Sequence, residues 1–235
     1  MNICVISARG GSKGLPNKNT KILLGKPLIA WSIQQALKTK LIDKVYICTD
    51  SKKIANTAIK FGAEVPFLRP KYLAKSSTNK FQVFKYFLNK IESYTKTKVN
   101  TYIDLDCTNP LRDIKDIENS INLFNRHRLN IDCVLSVAEA RKNPYFNLLE
   151  YNKNGFLTIS KKIIKKHINR RQDAPEVLEH VANIYVMKPN FIRKKNNLLD
   201  GKIIGYKVPQ AKSLDIDSKF DFEIISYLLG IKIKK

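Results

Sequence analysis

Short apolar runs alternate with segments of helical period along most of this 235-residue chain, and the runs end in polar or glycine-rich sequence. Residues 2–7 read as a buried strand. Pro27 suits the first residue of a helix whose apolar positions Ile29, Ile33, Ala36 and Leu37 recur at helical spacing. Val45–Cys48 predicts a second strand. Thr49, Asp50 and Ser51 can cap a helix over 52–61, and Gly62 is a natural stop for it. Glu64–Leu68 predicts a third short strand. A helix over 79–92 carries the stripe Phe81, Phe84, Phe87, Leu88 and Ile91. Strands at 99–105, 132–137 and 181–187, an edge segment at 205–208 and helices at 114–127 and 219–229 complete the pattern. Such alternation predicts an α/β fold layered around a mostly parallel central sheet. Ligands of such sheets gather outside the carboxyl ends of the strands, where the Arg9 loop, Asp50, Asp104, Asp106 and Thr108 all fall.

Residues 138–180 break this rhythm with a stretch rich in Asn, Lys and Arg, too long for an ordinary connection. They predict an inserted arm or small subdomain within one domain spanning 1–235, suited to an oligomer contact. Lysine and arginine number 43 against 20 acidic residues, a net charge of +23. The lysines are spread along the chain rather than gathered into an arm or recognition helix, so solvated helix faces are favoured over a nucleic-acid-binding module, which stays as the reading of another class. No apolar stretch reaches membrane-spanning length, and the first residues run into a strand without a signal-peptide layout. Cys4, Cys48, Cys107 and Cys133 are widely spaced and form no CxxC, which fits a reducing cytoplasm better than a disulfide framework or a zinc site.

The densest chemistry follows the first strand. Gly10, Gly11 and Gly14 allow backbone turns with N–H groups facing an anion, and Arg9, Lys13 and Lys18 surround them with charge suited to a polyphosphate. The loop has neither the G-x-x-x-x-G-K-[ST] nor the G-x-G-x-x-G spacing. Far downstream, Asp215 and Asp217 stand one residue apart, so an extended backbone turns both carboxylates to the same side, where they can share a hard divalent metal such as Mg²⁺. Asp104, Asp106, Thr108 and Arg112 form a middle constellation in which Arg112 either holds a carboxylate or pairs with Asp113 or Asp116. His127, His167 and His180 show no metal-ligand spacing. With no serine or cysteine elbow in view, these features together suggest direct nucleotidyl transfer at phosphorus.

The run from Ile6 to Asn19, Ile-Ser-Ala-Arg-Gly-Gly-Ser-Lys-Gly-Leu-Pro-Asn-Lys-Asn, closely resembles the opening signature of the acylneuraminate cytidylyltransferases, the synthetases of CMP-activated nonulosonic acids. The likeness continues through Gly25-Lys-Pro-Leu28, Cys48-Thr-Asp50, Arg69-Pro-Lys-Tyr-Leu-Ala74, Thr108-Asn-Pro-Leu-Arg112, Ile184-Tyr185 and Asp215-Ile-Asp217. The resemblance implies a Rossmann-like, three-layer nucleotidyltransferase domain with a small protruding dimerisation subdomain, acting as a homodimer. It implies an Mg²⁺-dependent reaction of CTP with a carboxylated nine-carbon sugar. Ala8, Arg9, Gly10, Gly11, Ser12, Lys13, Asn19, Arg69 and Lys80 would bind the nucleotide. Arg9, Lys13, Lys18 and Asp217 would act on the reacting phosphates, and Asp215 and Asp217 would hold the metal. Asp106, Thr108, Asn109, Arg112, Arg171, Gln172, Glu179 and His180 would meet the sugar.

The chain departs from many sialic-acid enzymes at Asp106-Cys107, where they read Gln-Pro, at Ser76, where they have Asp, and at Glu179–Ala182, where they have an Arg-Pro-Asn-Gly run. The segment Arg170-Arg171-Gln-Asp-Ala-Pro175 is more similar to the legionaminate branch. A legionaminic or related acid is therefore the favoured acceptor, with ketodeoxyoctonate or a sugar phosphate as alternatives.

Overall fold

The computed structural model of the chain describes residues 1–12, 14–163 and 168–234. Lys13 and His167, and most of the basic run around 164–167, lie outside the described residues. The chain opens with β1 (Asn2–Ser7), the small antiparallel pair β2 (Ile22–Leu23) and β3 (Lys26–Pro27), α1 (Leu28–Leu37), β4 (Lys44–Cys48) and α2 (Lys52–Lys60). It continues through α3 (Lys80–Thr95), β5 (Thr101–Leu105), α4 (Ile114–His127) and β6 (Cys133–Glu139). After the short β7 (Leu149–Tyr151) and β8 (Leu157–Ile159) come β9 (Leu178–Met187), α5 (Pro189–Lys194), β10 (Ile203–Lys207) and α6 (Lys219–Lys234).

Six strands form one sheet in the order β10-β6-β9-β5-β1-β4. The pairs β1–β4, β1–β5 and β6–β10 are parallel, and β9 runs antiparallel to both β5 and β6. Strands return parallel when a crossover, usually a helix, carries the chain back across the sheet. Between β6 and β9 the described residues contain a hairpin and a 3-10 turn but no α-helix, and β9 enters the sheet reversed.

Both faces of the sheet are covered, so its strands are apolar throughout rather than alternating. Cys4 and Ile6 of β1 point to one side, with Ile29, Ile33 and Ala36 of α1, Ala58 of α2 and Ile121 and Phe124 of α4. Ile3 and Val5 point to the other, against the α3 stripe of Phe81, Phe84, Phe87, Leu88 and Ile91 and against Phe191 of α5. Each fully buried side chain of this kind stabilises the fold by roughly 1.5–3 kcal/mol before chain entropy is counted. A third cluster joins Leu15 and Leu28 to Leu111, Ile216, Ile225 and Leu229, and so packs α6 against the loops at one end of the sheet.

The helix ends follow local chemistry. The Ser51 hydroxyl accepts from the Ile54 N–H, and Gly62, at φ 92°, provides the left-handed turn after α2. Asn79 Oδ1 caps α3 by accepting from the Phe81 N–H at 2.8 Å, and Asp113 with Asp116 forms a capping box on α4. Two expectations change. Glu64–Leu68 forms no strand, only a single bridge from Glu64 to Tyr46, because Pro66 lacks the N–H a ladder needs. Pro27 belongs to the extended β3, and α1 begins one residue later.

The 138–180 segment carries the β7–β8 hairpin, on which Leu149, Tyr151, Phe156 and Leu157 are exposed. Among the described residues, no helix is long and apolar enough to cross a membrane.

All four cysteines are buried and free. Burial pushes the Cys48 and Cys107 thiols up to about 12 and raises those of Cys4 and Cys133 as well. Since the thiolate is the reactive form, the folded protein at pH 8 is expected to react negligibly with an aromatic disulfide reagent. All four thiols should titrate once it is unfolded in guanidinium; a fast native-state equivalent would contradict this packing.

Candidate active site

The loop after β1 is fastened from both sides. The Gly10 N–H donates to Asp50 Oδ1 at 2.9 Å, and the buried Arg69 guanidinium lies 3.6 Å from the same oxygen. On the far side Gly14 approaches the acidic segment so closely that a Cβ there would sit 2.2 Å from the Asp217 carbonyl oxygen. Asn19 is buried at the base; its amide donates to the Arg9 carbonyl at 3.0 Å and its oxygen accepts from Cys107 Sγ at 3.1 Å.

Asp215 and Asp217 flank Ile216, which is fully buried and whose N–H donates to the Thr108 carbonyl at 3.1 Å. That anchor fixes the segment beside the loop. Lys18 Nζ donates to the Ile216 carbonyl at 2.5 Å and lies 3.3 Å from Asp217 Oδ1. Asp217 is open to solvent, whereas Asp215 is largely enclosed and its Oδ1 is buried without a partner among the described residues. Burial raises the Asp215 carboxyl; Asp106 and Asp217 push it the same way, while Thr108 and Lys18 pull it back.

A buried, unpartnered carboxylate oxygen next to further negative charge suits a hard cation. No group of three or more His, Cys, Asp or Glu among the described residues could hold a metal alone. The residues therefore fit an ion that completes its shell with water and substrate oxygens, as Mg²⁺ does.

Ala8, Arg9, Ser12, Gly14, Lys18, Asn19, Asp106, Thr108 and Asp217 surround one cavity of about 440 Å³, with Ser7 and Cys107 completing its wall. That is room for a small-molecule substrate. The sequence-predicted loop, Lys18, Asp106, Thr108 and Asp217 are thus brought together.

Other predicted residues are placed differently. Lys80, the first residue of α3, is not on the cavity wall but behind Asp106: its Nζ is 2.6 Å from Asp104 Oδ2 and 2.7 Å from Asp106 Oδ2, and 4.3 Å from the Tyr185 ring centroid. Burial works against the Lys80 ammonium, but the two acids outweigh it and hold its pKa well above the usual lysine range. Burial also raises the Asp104 carboxyl to about 6, against the pull of Lys80. Arg69, expected near cytidine, lies against Asp50.

Arg112 is a correction. It neither faces a substrate carboxylate nor pairs with Asp113 or Asp116, which bind Lys212 and Lys232. It is 1% exposed, and its guanidinium is fully engaged. Nε donates to Gln35 Oε1 at 2.9 Å, Nη1 to the Asn183 carbonyl and Oδ1 at 2.8 Å each, and Nη2 to the Asp106 carbonyl at 2.5 Å and to Ser32 Oγ. Asn109 is likewise fully buried, its amide donating to the Lys212 carbonyl at 2.8 Å. Both shape the 106–112 loop from behind.

Arg171 and Gln172 line a separate concavity of about 420 Å³ with Glu139 and Asn143, where Arg171 reaches the Ala140 carbonyl at 3.0 Å. Glu179 is half-buried on β9, and the His180 ring stands edge-on to Tyr185 with centroids 5.5 Å apart. Burial and then Lys80 lower the His180 pKa, opposed by Asp106. Ser7 and Cys107 on the wall stand inside the quoted signature and the Asp106-Cys107 departure without being singled out, and the brace partners Ser32, Gln35 and Asn183 carry no sequence signal beyond their place in apolar or helical runs.

A basic glycine loop at the carboxyl end of β1, closed by an acidic pair from a distant segment, is the working end of a nucleotidyltransferase. The family model described as cytidylyltransferase matches residues 3–196, and the chain belongs to that family. Over 231 residues it is 36% identical to the post-translational flagellin modification protein B of Campylobacter coli, covering 98% of this chain and 95% of that one. Over 234 residues it is 37% identical to the CMP-N,N'-diacetyllegionaminic acid synthase of Campylobacter jejuni, with the same coverages. Among solved structures, a CMP:2-keto-3-deoxy-manno-octonic acid synthetase complexed with CTP superposes with a TM-score of 0.74 at 16% identity, covering 99% of this chain and all of that one. That likeness bears on the fold alone. The three-layer Rossmann-like nucleotidyltransferase architecture expected from the sequence is borne out.

Proposed function

We propose that this enzyme transfers the cytidylyl group of CTP to the anomeric 2-hydroxyl of a legionaminic-type nonulosonic acid. The 2-hydroxyl oxygen forms a bond to the α-phosphorus, the bond from that phosphorus to the bridging oxygen breaks, pyrophosphate leaves and the hydroxyl proton passes to solvent. The observation that carries the reading is the meeting of Arg9, Lys18 and Asp217 on one cavity in a chain aligned end to end with a CMP-N,N'-diacetyllegionaminic acid synthase.

Arg9 offers forked donors to phosphate oxygens, Ser12 and the loop amides add neutral donors, and Lys18 supplies a compact charge for the α-phosphate as it moves. Lys13 would add a further charge to the triphosphate. Asp215 and Asp217 would hold Mg²⁺, which when bound neutralises phosphate charge and polarises the reacting phosphoryl group. Asp106 and Thr108 face the acceptor side, with Lys80 holding Asp106 in place. Arg171, Gln172, Glu179 and His180 are assigned to the distal part of the sugar. The exposed apolar side chains on the β7–β8 hairpin support a homodimer built through the 138–180 arm.

The test is pyrophosphate release with Mg²⁺ and each of the four nucleoside triphosphates, across legionaminate, N-acetylneuraminate, pseudaminate, ketodeoxyoctonate and a sugar phosphate. Strong release with CTP and legionaminate is expected. Release with a sugar phosphate, or a preference for another nucleotide, would overturn the reading.

Gly14→Ala gives a second check. The new methyl cannot coexist with the Asp217 carbonyl, so the loop and the acidic pair must separate. A misplacement of about 1 Å can cost on the order of 10²-fold in rate. We expect a loss of that order in kcat with an unchanged far-UV circular dichroism spectrum; wild-type kcat would show that loop and acids need not touch.

A further inference from the structure

A second cavity, of about 290 Å³, opens on the opposite side of the 106–112 loop and shares no lining residue with the nucleotide cavity. Its walls come from α1, the end of α6 and the start of α4. One part is flat and apolar, formed by Trp31, Pro110, Ile114 and Leu229; the other carries Lys26 and Lys38. Lys26 Nζ stands 3.6 Å from the Trp31 ring centroid and donates to Gln34 Oε1. Neither Lys26 nor Lys38 has a carboxylate partner within salt-bridge distance among the described residues; the one carboxylate lining the cavity, Asp113, is paired with Lys232, which lines it too.

Burial lowers the Lys26 pKa, and the neighbouring Lys38 lowers it again. Two lysines without a carboxylate partner thus line one open cavity, and their like charges disfavour each other until an anion enters. The third wall is Gln35, whose amide donates at 3.0 Å to both the Pro110 and Arg112 carbonyls.

We infer that this cavity is a second ligand site, built for a small organic anion with a flat apolar body, whose charged end lies between Lys26 and Lys38 and whose body lies against Pro110 and Leu229. The volume admits a single-ring compound and the lysines select a phosphate or carboxylate on it. The occupant would rest on the Gln35–Arg112 brace that shapes the catalytic loop from behind.

The chain has one tryptophan, and it lines this cavity, so its emission reports occupancy directly. Phenyl phosphate is the probe, with phenol as the neutral ring and inorganic phosphate as the bare anion. The purified chain is expected to show a saturable change in tryptophan emission with phenyl phosphate, and binding about tenfold weaker or more with either control. Lys38→Gln alone, at an exposed position, and Lys26→Gln with Lys38→Gln should each weaken phenyl phosphate binding, the double variant by about tenfold or more, with circular dichroism unchanged. Lys18→Ala should bind it as wild type does. A non-saturable response, equal binding of phenol, or lysine variants titrating like wild type would overturn the site. Loss of the response in Lys18→Ala would place the probe in the nucleotide cavity and overturn it too.

Discussion

Replacing Lys18 with alanine is expected to lower kcat for pyrophosphate release by about 10²–10³-fold, the usual consequence of removing one preorganised charge from a developing transition state. Lys18 is preorganised in a specific sense. Its side chain is 14% exposed, and its ammonium is held between the Ile216 carbonyl and Asp217 before any substrate arrives. The KM for CTP should move less than kcat, because Arg9 and the loop amides remain to hold the triphosphate in the ground state. Lys18→Arg should restore little, since a planar guanidinium cannot take the place of a compact ammonium in that gap.

The fold should survive the change. Asp217 is 80% exposed, and an ion pair with so open a partner contributes about 0–1 kcal/mol. Single-turnover kinetics beside a thermal melt separates the two effects. A kcat within about threefold of wild type, with Tm unchanged, would remove Lys18 from the proposed mechanism.

Much of this site is legible in the sequence because its signals are local. The glycines and cations of the first loop sit within ten residues, and Asp215 and Asp217 are separated by one buried isoleucine. The α3 stripe and the apolar strands could be read from period alone, since both faces of the sheet are covered. What escaped depends on distance along the chain. Lys80 reads as a nucleotide-binding cation, whereas α3 sets it against Asp104 and Asp106, 24 and 26 residues away. Glu64–Leu68 reads as a strand because its side chains suit one, but the backbone at Pro66 does not. The wall residue Cys107 reads only as a departure from the family's Gln-Pro, and its bond to Asn19 spans 88 residues.

Arg112 gives the largest expected loss of stability. Its neighbours in sequence, Asp113 and Asp116, suggested a surface ion pair; its real partners Ser32, Gln35 and Asn183 lie 71 to 80 residues away. Burial lowers its pKa, so the folded protein already bears the cost of desolvating the guanidinium and offsets it with hydrogen bonds. Arg112→Met keeps the length and much of the volume but removes every donor. Asp106 and Asn183 carbonyls retain their Ser32 hydroxyl and Asp106 N–H donors, so the acceptors left bare are Gln35 Oε1 and Asn183 Oδ1.

At roughly 1–3 kcal/mol for each such acceptor, the variant should lose about 4 kcal/mol. For a chain of this size that is a fall in Tm of about 8–16 °C. Arg112→Lys should recover only part of it, because one ammonium cannot span partners on α1, β9 and the 106–112 loop together. Thermal melts and acceptor kinetics on the same preparations decide between two roles. If Arg112 instead held the sugar's carboxylate, Arg112→Met would raise the KM for the acceptor and leave Tm within about 2 °C of wild type. The buried geometry requires the reverse, a large fall in Tm, and a rise in KM only as far as the loosened loop lets Asp106 and Thr108 drift from the cavity.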